Sequence, residues 1–460
     1  MLSVKQIIRL TPFILLVSVF TSAKAQINSP FSRYGLGNEI TNSQNTTSQA
    51  MGGLTTPYTA SMNGSFGQSV NFNNPATYSS IFMTTFDLGM NLTNNTLKSN
   101  DPVSRFQSTY FVPNYLAIGI PINKVKKIGM AFGLRPITQV NYSINELKIL
   151  KSGDSLYNNY VGQGGMNQAF LGFGKGWKNF SVGVNTGFNF GKKKIQNIKS
   201  FQYNVDSTYF YQSLASTNTV FNGLFLQLGA QGEFNISSTT HEKSTDKTEY
   251  SLSYGATYTL DQKLTAKQDV VRSIGSFTTS TETALDTASV TTNIPGSIKI
   301  PAAISIGIAL HKKETSNKGT YDQWVLGLQF DQASWKDKYS FYGVADQLSN
   351  SYMTRLGVQF CPNPFDVENY WSNVTYRAGF NFGKDYINID QNGLNVSNFS
   401  VGMGLPVRKY RSYDYQFTVL NLALQFGQRG SSVNKFQESY IQFTVGYSLS
   451  DIWFNKRKYD

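Results

Sequence analysis

The pattern that most constrains this chain is a two-residue alternation, apolar against small or polar, recurring in segment after segment. Phe86, Leu88, Met90 and Leu92 alternate with Thr85, Asp87, Gly89 and Asn91. The same rhythm runs from Leu116 to Ile122, and again from Ile128 through Met130 and Phe132 to Leu134. A period of two places successive side chains on opposite faces of a strand. A strand of about ten residues with one greasy face is the unit of a barrel wall in a bilayer. Residues 168–173, 180–190, 223–233, 250–258, 302–310, 324–331, 353–360, 373–382, 398–405, 417–427 and 440–449 continue the series to fourteen. Single-chain bacterial barrels have an even number. The connections alternate too: 123–127 and 175–179 are tight, whereas 93–115, 135–167, 191–222 and especially 259–301 are long. Short periplasmic turns and long outer loops alternate in this way. The predicted fold is an all-β, transmembrane antiparallel β-barrel of fourteen strands over residues 81–454. A soluble sandwich or propeller is the competing all-β reading, and no fixed repeat supports a propeller.

The ends and the composition agree with export. Lys5 and Arg9 precede an apolar run, Phe13 to Phe20, and Ala23-Lys24-Ala25 closes it. That order of charge, greasy core and small residues reads as a secretory signal peptide over residues 1–25. Charged residues make up 15% of the chain, against 33 Phe and 27 Tyr. That is too little charge for a soluble protein of this length. Cys361 is the single cysteine, so no internal disulfide framework is available. Removing residues 1–25 removes three cations and no acid, which takes the net charge from +13 to +10. The charge is dispersed over loops and tail, which argues for outer-membrane lipid and lipopolysaccharide as neighbours and against nucleic acid. A basic tail, 455–460, follows the last strand.

The motifs that carry chemistry mostly fall away. Gly172-Phe173-Gly174-Lys175-Gly176 ends a strand in a tight turn, without the helix a phosphate loop needs. Asn388-Ile389-Asp390-Gln391-Asn392-Gly393 opens like a calcium loop but has Phe399 where a bidentate Glu belongs. His241 and His311 are the only histidines, and nothing in the linear sequence sets either beside a serine and an acid. The reading is therefore no enzyme, no cofactor and no metal. One charged set remains: by the alternation, Asp331, Arg355 and Arg377 face the lumen on three successive strands. A charge on the lipid face would cost about 2–4 kcal/mol at the midplane, so inward placement is enforced. The set is either a cross-strand ladder stiffening the wall or a candidate ligand site in which an arginine holds a carboxylate.

Two further regions stand out. Residues 26–80 are polar and rich in Gly, Asn and Ser, and end on Asn74-Pro75-Ala76-Thr77-Tyr78. A fourteen-stranded lumen is too wide for its own side chains to fill, so this segment is expected to act as a hatch within it. A free tail is the alternative. The third barrel strand alternates cleanly to Leu134, and then Arg135-Pro136 interrupts it beside Gly133. Proline cannot donate its ladder hydrogen bond, so a kink here would open the wall, or else simply end the strand at the rim.

These pieces resemble the FadL-type long-chain fatty-acid and hydrocarbon transporters, in a Bacteroidetes-like form. The resemblance rests on Ala50-Met51-Gly52-Gly53, on Asn74-Pro75-Ala76 before the first strand, and on Ile300-Pro301-Ala302-Ala303-Ile304-Ser305-Ile306-Gly307. Phe330-Asp331-Gln332-Ala333-Ser334-Trp335, Tyr376-Arg377-Ala378-Gly379-Phe380 and Asp451-Ile452-Trp453-Phe454 are similar in kind. The resemblance implies passive outer-membrane uptake of a hydrophobic small molecule, drawn into a greasy pocket and released sideways at the third strand. It also implies insertion by the barrel assembly machinery. The alternative function is an interaction barrel that holds a secreted protein, as a type IX secretion partner would.

Overall fold

The computed structural model describes residues 29–39, 44–59, 68–100, 103–151, 154–202, 210–240, 246–277, 282–344, 346, 348–366, 368–389, 392–407, 417–431, 434 and 436–451. The expected signal peptide, the basic tail, His241 and Asp390 lie outside the described residues.

Fourteen antiparallel strands close the wall, as the alternation predicts. A two-residue strand of the N-terminal segment, β1 (Asn38–Glu39), precedes them. The wall begins with β2 (Thr84–Asn100), β3 (Val103–Asn123), β4 (Ile128–Ile149), β5 (Ser155–Gly176), β6 (Phe180–Gln202) and β7 (Gln212–Thr240). After β8 (Lys247–Thr259) the chain leaves the wall as a hairpin, β9 (Gln262–Phe277) and β10 (Glu282–Ile300). It returns with β11 (Ala303–Ser316) and β12 (Gly319–Ala333), makes the short β13 (Ser340–Phe341), and continues with β14 (Ser351–Phe360). The wall ends with β15 (Thr375–Ile389), β16 (Asn392–Val407), β17 (Phe417–Arg429) and β18 (Phe436–Asp451). β18 pairs with β2 from Phe436↔Ser99 to Asp451↔Thr84, and this ladder closes the ring.

The alternation sorts the side chains as lipid and lumen require. Ile304, Ile306 and Ile308 are exposed on β11, as are Leu326, Leu328 and Phe330 on β12. Between them Ala309, Val325 and Gln329 are buried. Trp177, Phe180, Tyr370 and Trp371 are exposed at the end with the tight turns, where an aromatic girdle sits. The long connections are corrected, however. Much of 93–115, 135–167 and 191–222 is strand, so the outer hairpins are extensions of the wall rather than loops. Residues 259–301 hold β9 and β10. β9 takes over the edge of β7 from Gln212 to Asn222, above the stretch paired with β8.

Described parts of the N-terminal segment lie against the buried, polar face of the wall. Gln329 Oε1 accepts from the backbone of Thr55 at 2.8 Å and of Thr56 at 2.9 Å. Ser400 Oγ accepts from Gly52 N at 2.9 Å, and Asn381 Nδ2 donates to Gly52 O at 2.9 Å. Gly52 has a φ of +68°, which a side chain would strain. Opposite it, a Cβ on Gly379 would overlap the backbone of Met51 and Gly52. Two glycines, one on the segment and one on the wall, let the backbones touch.

Candidate functional site

The wall is interrupted between β3 and β4. Their ladder runs only from Asn123↔Ile128 to Leu116↔Leu134. Beyond Leu116, β3 keeps its partner β2 up to Val103. Beyond Leu134, β4 keeps β5 up to Ile149. Both facing edges carry a proline and a register shift: Pro113 with a shift across Asn114 in β3, and Pro136 with a shift across Ile137 in β4. A bulge bends its strand away from the partner, and proline removes the donor that would restore pairing. Gly133 stands in the last paired rows, opposite Ala117.

The gap sits where the outer face changes character. Pro136 shares a row with Asn167 and, through it, with Phe190, which is exposed; Lys192 is the next outward residue on β6. It therefore lies at the upper margin of the apolar band. A groove of about 570 Å³ borders it, lined by Val112, Pro136, Gly164, Gly165, Phe190 and Val220. On the lumen side Val112, Pro136 and Gln139 also line a cavity of about 90 Å³ with Asn114, Tyr110 and Arg429. The same three residues touch both spaces.

The edge of β4 that β3 leaves is occupied from within. β1 pairs with it, Asn38 with Gln139 and Glu39 with Thr138. Ser29 N donates to Asn141 O at 3.0 Å, and Thr138 Oγ1 donates to Leu36 O at 2.9 Å. Residues 29–39 are a strap over the gap. Tyr386 donates its hydroxyl to Gly37 O, and Arg429 is ion-paired to Asp385 with its guanidinium 5.0 Å from the Phe31 ring. Phe31 and Leu36, 0% and 2% exposed, pack with Phe221, Leu264, Ile298 and Trp335 in an apolar core at the loop end of the lumen. Apolar side chains of the N-terminal segment and of the wall thus pack together here.

The residues singled out from sequence separate into distinct places. Arg135 points inward below the gap, donating Nε to Gln168 Oε1 at 2.9 Å and Nη1 to Asn73 Oδ1 at 3.0 Å, with Phe72 stacked 4.8 Å away. Asn74 accepts from Ala76 N at 3.1 Å and donates to Thr56 O at 2.7 Å, and Pro75 opens a 3-10 turn to Ser80. That turn lies against β5 and β6. Asp331 and Arg355 come together at 2.5 Å, and Arg355 Nη1 reaches Gly52 O at 3.3 Å. Arg377 does not join them. It bonds the side-chain amides of Gln359 at 3.0 Å and Asn421 at 3.4 Å, and among the described residues no carboxylate is within ion-pair distance. It stands four residues nearer the turn end, roughly 13 Å away at 3.3 Å per residue.

Sequence reasoning missed one constellation. Ser253 Oγ is 2.8 Å from His311 Nε2, and His311 Nδ1 is 3.3 Å from Asp322 Oδ1. On strict alternation with Gln329 and Asp331, Asp322 would face outward. A register shift between Lys312 and Lys313, with Gln323 as the extra residue, turns it onto the inner face. A one-residue bulge leaves no mark in composition. Among the described residues no cluster of His, Cys, Asp or Glu has the makings of a metal site.

Comparison with known proteins adds a family and a fold. A family model described as BamG matches residues 3–460. The monoaromatic hydrocarbon channel CymD superposes with a TM-score of 0.50 at 14% identity, covering 90% of this chain and 99% of that one. The toluene transporter TbuX of Ralstonia pickettii superposes with a TM-score of 0.51 at 11% identity, covering 88% of this chain and 98% of that one. At such identities the likeness is one of fold. It agrees with the outer-membrane barrel read from the strands. No curated protein matches the sequence.

Proposed function

The chain belongs to the BamG family, and on that premise we propose that it is a passive outer-membrane channel that delivers a hydrophobic small molecule sideways between β3 and β4. The observation that carries this is the interrupted ladder with Pro113 and Pro136 on its facing edges. Lumen and outer groove meet there across Val112, Pro136 and Gln139. The two proteins of like fold are described as a monoaromatic hydrocarbon channel and a toluene transporter, which supports an apolar cargo. A long-chain fatty acid or a hydrocarbon gains about 0.8 kcal/mol per methylene buried. It would take the place that Phe31 and Leu36 now fill, so the strap 29–39 acts as the gate and the segment around Asn74, Pro75 and Ala76 as the hatch beneath it. Arg377, without a carboxylate partner among the described residues, is the candidate for a fatty acid's headgroup, with Asp331 and Arg355 holding the hatch.

The test is a reducible bifunctional crosslink between cysteines placed at Val112 and Gln139. Uptake of labelled oleate and toluene into cells should stop while the link is closed and return with reductant. Full uptake with the link formed rules out the lateral exit. A second reading, a barrel that holds a secreted protein, is favoured by the β9–β10 hairpin, which carries exposed Leu285 and Val290. Failure of the uncrosslinked barrel to take up either ligand would point there.

A further inference from the structure

We infer that Ser253, His311 and Asp322 form a nucleophile, base and positioning acid that hydrolyse a short carboxylic ester at the turn end of the lumen. The three lie on neighbouring strands. Ser253 on β8 stands opposite Ala309 on β11, two residues from His311, and Asp322 on β12 stands opposite Lys313, two residues to its other side. The imidazole is therefore held diagonally between hydroxyl and carboxylate. Its Nδ1 and Asp322 Oδ1 are 3.3 Å apart, within ion-pair distance, and neither atom has a hydrogen-bond partner among the described residues. With the ring proton on Nδ1, facing the acid, Nε2 is left as an acceptor 2.8 Å from Ser253 Oγ. Nucleophile next to base, and base oriented by a third group, is the arrangement that activates a serine.

The site has a space for substrate and a charge for the transition state. Ser253, His311 and Asp322 line a cavity of about 210 Å³ together with Lys313, Gln231 and Thr59. The cavity reaches the β5–β6 turn at Trp177 and Lys178, so its mouth faces the tight-turn side of the wall. Lys313, on the same inner face as His311, is paired with Glu233 and brings a cation to the cavity. The Gln231 amide, now donating to Thr59 Oγ1 at 2.8 Å, is a second donor. Fixed donors of this kind stabilise the oxyanion of acyl transfer. In the resting site the Ser253 hydroxyl also has the carbonyls of Pro57 at 2.9 Å and Ala309 at 3.2 Å within reach. Pro57 belongs to the N-terminal segment, so a seated segment competes with His311 for the proton.

The chemistry balances without a cofactor. Ser253 Oγ attacks the ester carbonyl carbon as its proton passes to His311 Nε2. The oxyanion collapses, the C–O bond to the alcohol breaks, and the alcohol leaves with that proton. Water then gives a proton to His311 Nε2 and attacks the acyl-serine. The acid leaves, and Ser253 regains its proton.

The test uses the full chain, folded in detergent and shown to be folded by its heat-dependent mobility. A fluorophosphonate should modify Ser253, identified by peptide mass, and p-nitrophenyl butyrate should be hydrolysed. Ser253→Ala should lose both. His311→Gln should lower both at least about 100-fold, the usual share of a general base. Asp322→Asn should lower kcat with KM little changed, because an amide in place of the carboxylate no longer fixes the Nδ1–H tautomer. Asp322→Glu should restore kcat in part. A purely structural role for Asp322 would leave kcat in place in a folded barrel. A folded barrel whose Ser253 stays unmodified, or is modified as fast in His311→Gln, overturns the assignment.

Discussion

Arg355 and Arg377 face one lumen from adjacent strands, and their surroundings give them different work. Arg355 closes on Asp331, with side-chain exposures of 11% and 21%, and also touches Gly52 O. Removing one member of a buried pair strands the other charge, at a cost of about 3–5 kcal/mol. Arg355→Ala should therefore lose roughly 3 kcal/mol in urea unfolding of the refolded barrel, with the N-terminal segment becoming protease-sensitive first. Arg377 is held by the side-chain amides of Gln359 and Asn421. Arg377→Ala should weaken oleate uptake more than toluene uptake, since only oleate loses a charge-assisted bond. Equal losses, with lowered thermal stability, would make Arg377 structural as well. The inward placement of all three charges was legible in the alternation. The proximity of Asp322 to His311 was not, because an extra residue at Gln323 reverses the parity on which such reading depends.

Strand number was legible because each membrane-crossing stretch has one lipid face and one lumen face. Strand length was not. Above the apolar band the outward face of a strand turns polar too, as at Asn94 and Lys98 of β2, so the pattern fades while the hydrogen-bond ladder continues. The interrupted ladder shows the same divide: Arg135-Pro136 marks its β4 edge in the sequence, whereas Pro113 on the β3 edge falls in what reads as a long connection, 93–115. What no local pattern reports is that β1, a hundred residues upstream, fills the vacated edge. The strap's hold depends on Phe31 and Leu36, both buried. Truncating such side chains costs about 2–5 kcal/mol each, and 1.4 kcal/mol is a tenfold change in an equilibrium. The double variant Phe31→Ala with Leu36→Ala should therefore raise toluene uptake at least about tenfold. An unchanged rate would mean that the strap does not gate passage.

At the scale of the whole molecule, the wall and what fills it are separable. The ring is closed by backbone ladders alone, including the β18–β2 pairing, and needs no residue before Thr84. The inner face that meets the N-terminal segment is polar: Gln329, Asn381, Ser400, Gln425 and Thr444 are buried there against residues 46–59. With the segment gone, water can satisfy these groups, while the apolar core around Trp335, Tyr386 and Ile298 and the wall residues Ala309 and Val325 beneath Met51, Leu54 and Tyr58 would be newly wetted. A chain lacking residues 26–63 should therefore still fold into a heat-modifiable barrel. Its single-channel conductance should rise strongly, because Phe31, Leu36, Met51 and Leu54 no longer occupy the lumen. Added 26–63 peptide should lower the conductance again if the seat survives. A deletion that folds but conducts as the full chain does would show the lumen shut by the wall itself. A deletion that does not fold would make the segment part of the barrel's core rather than a plug within it.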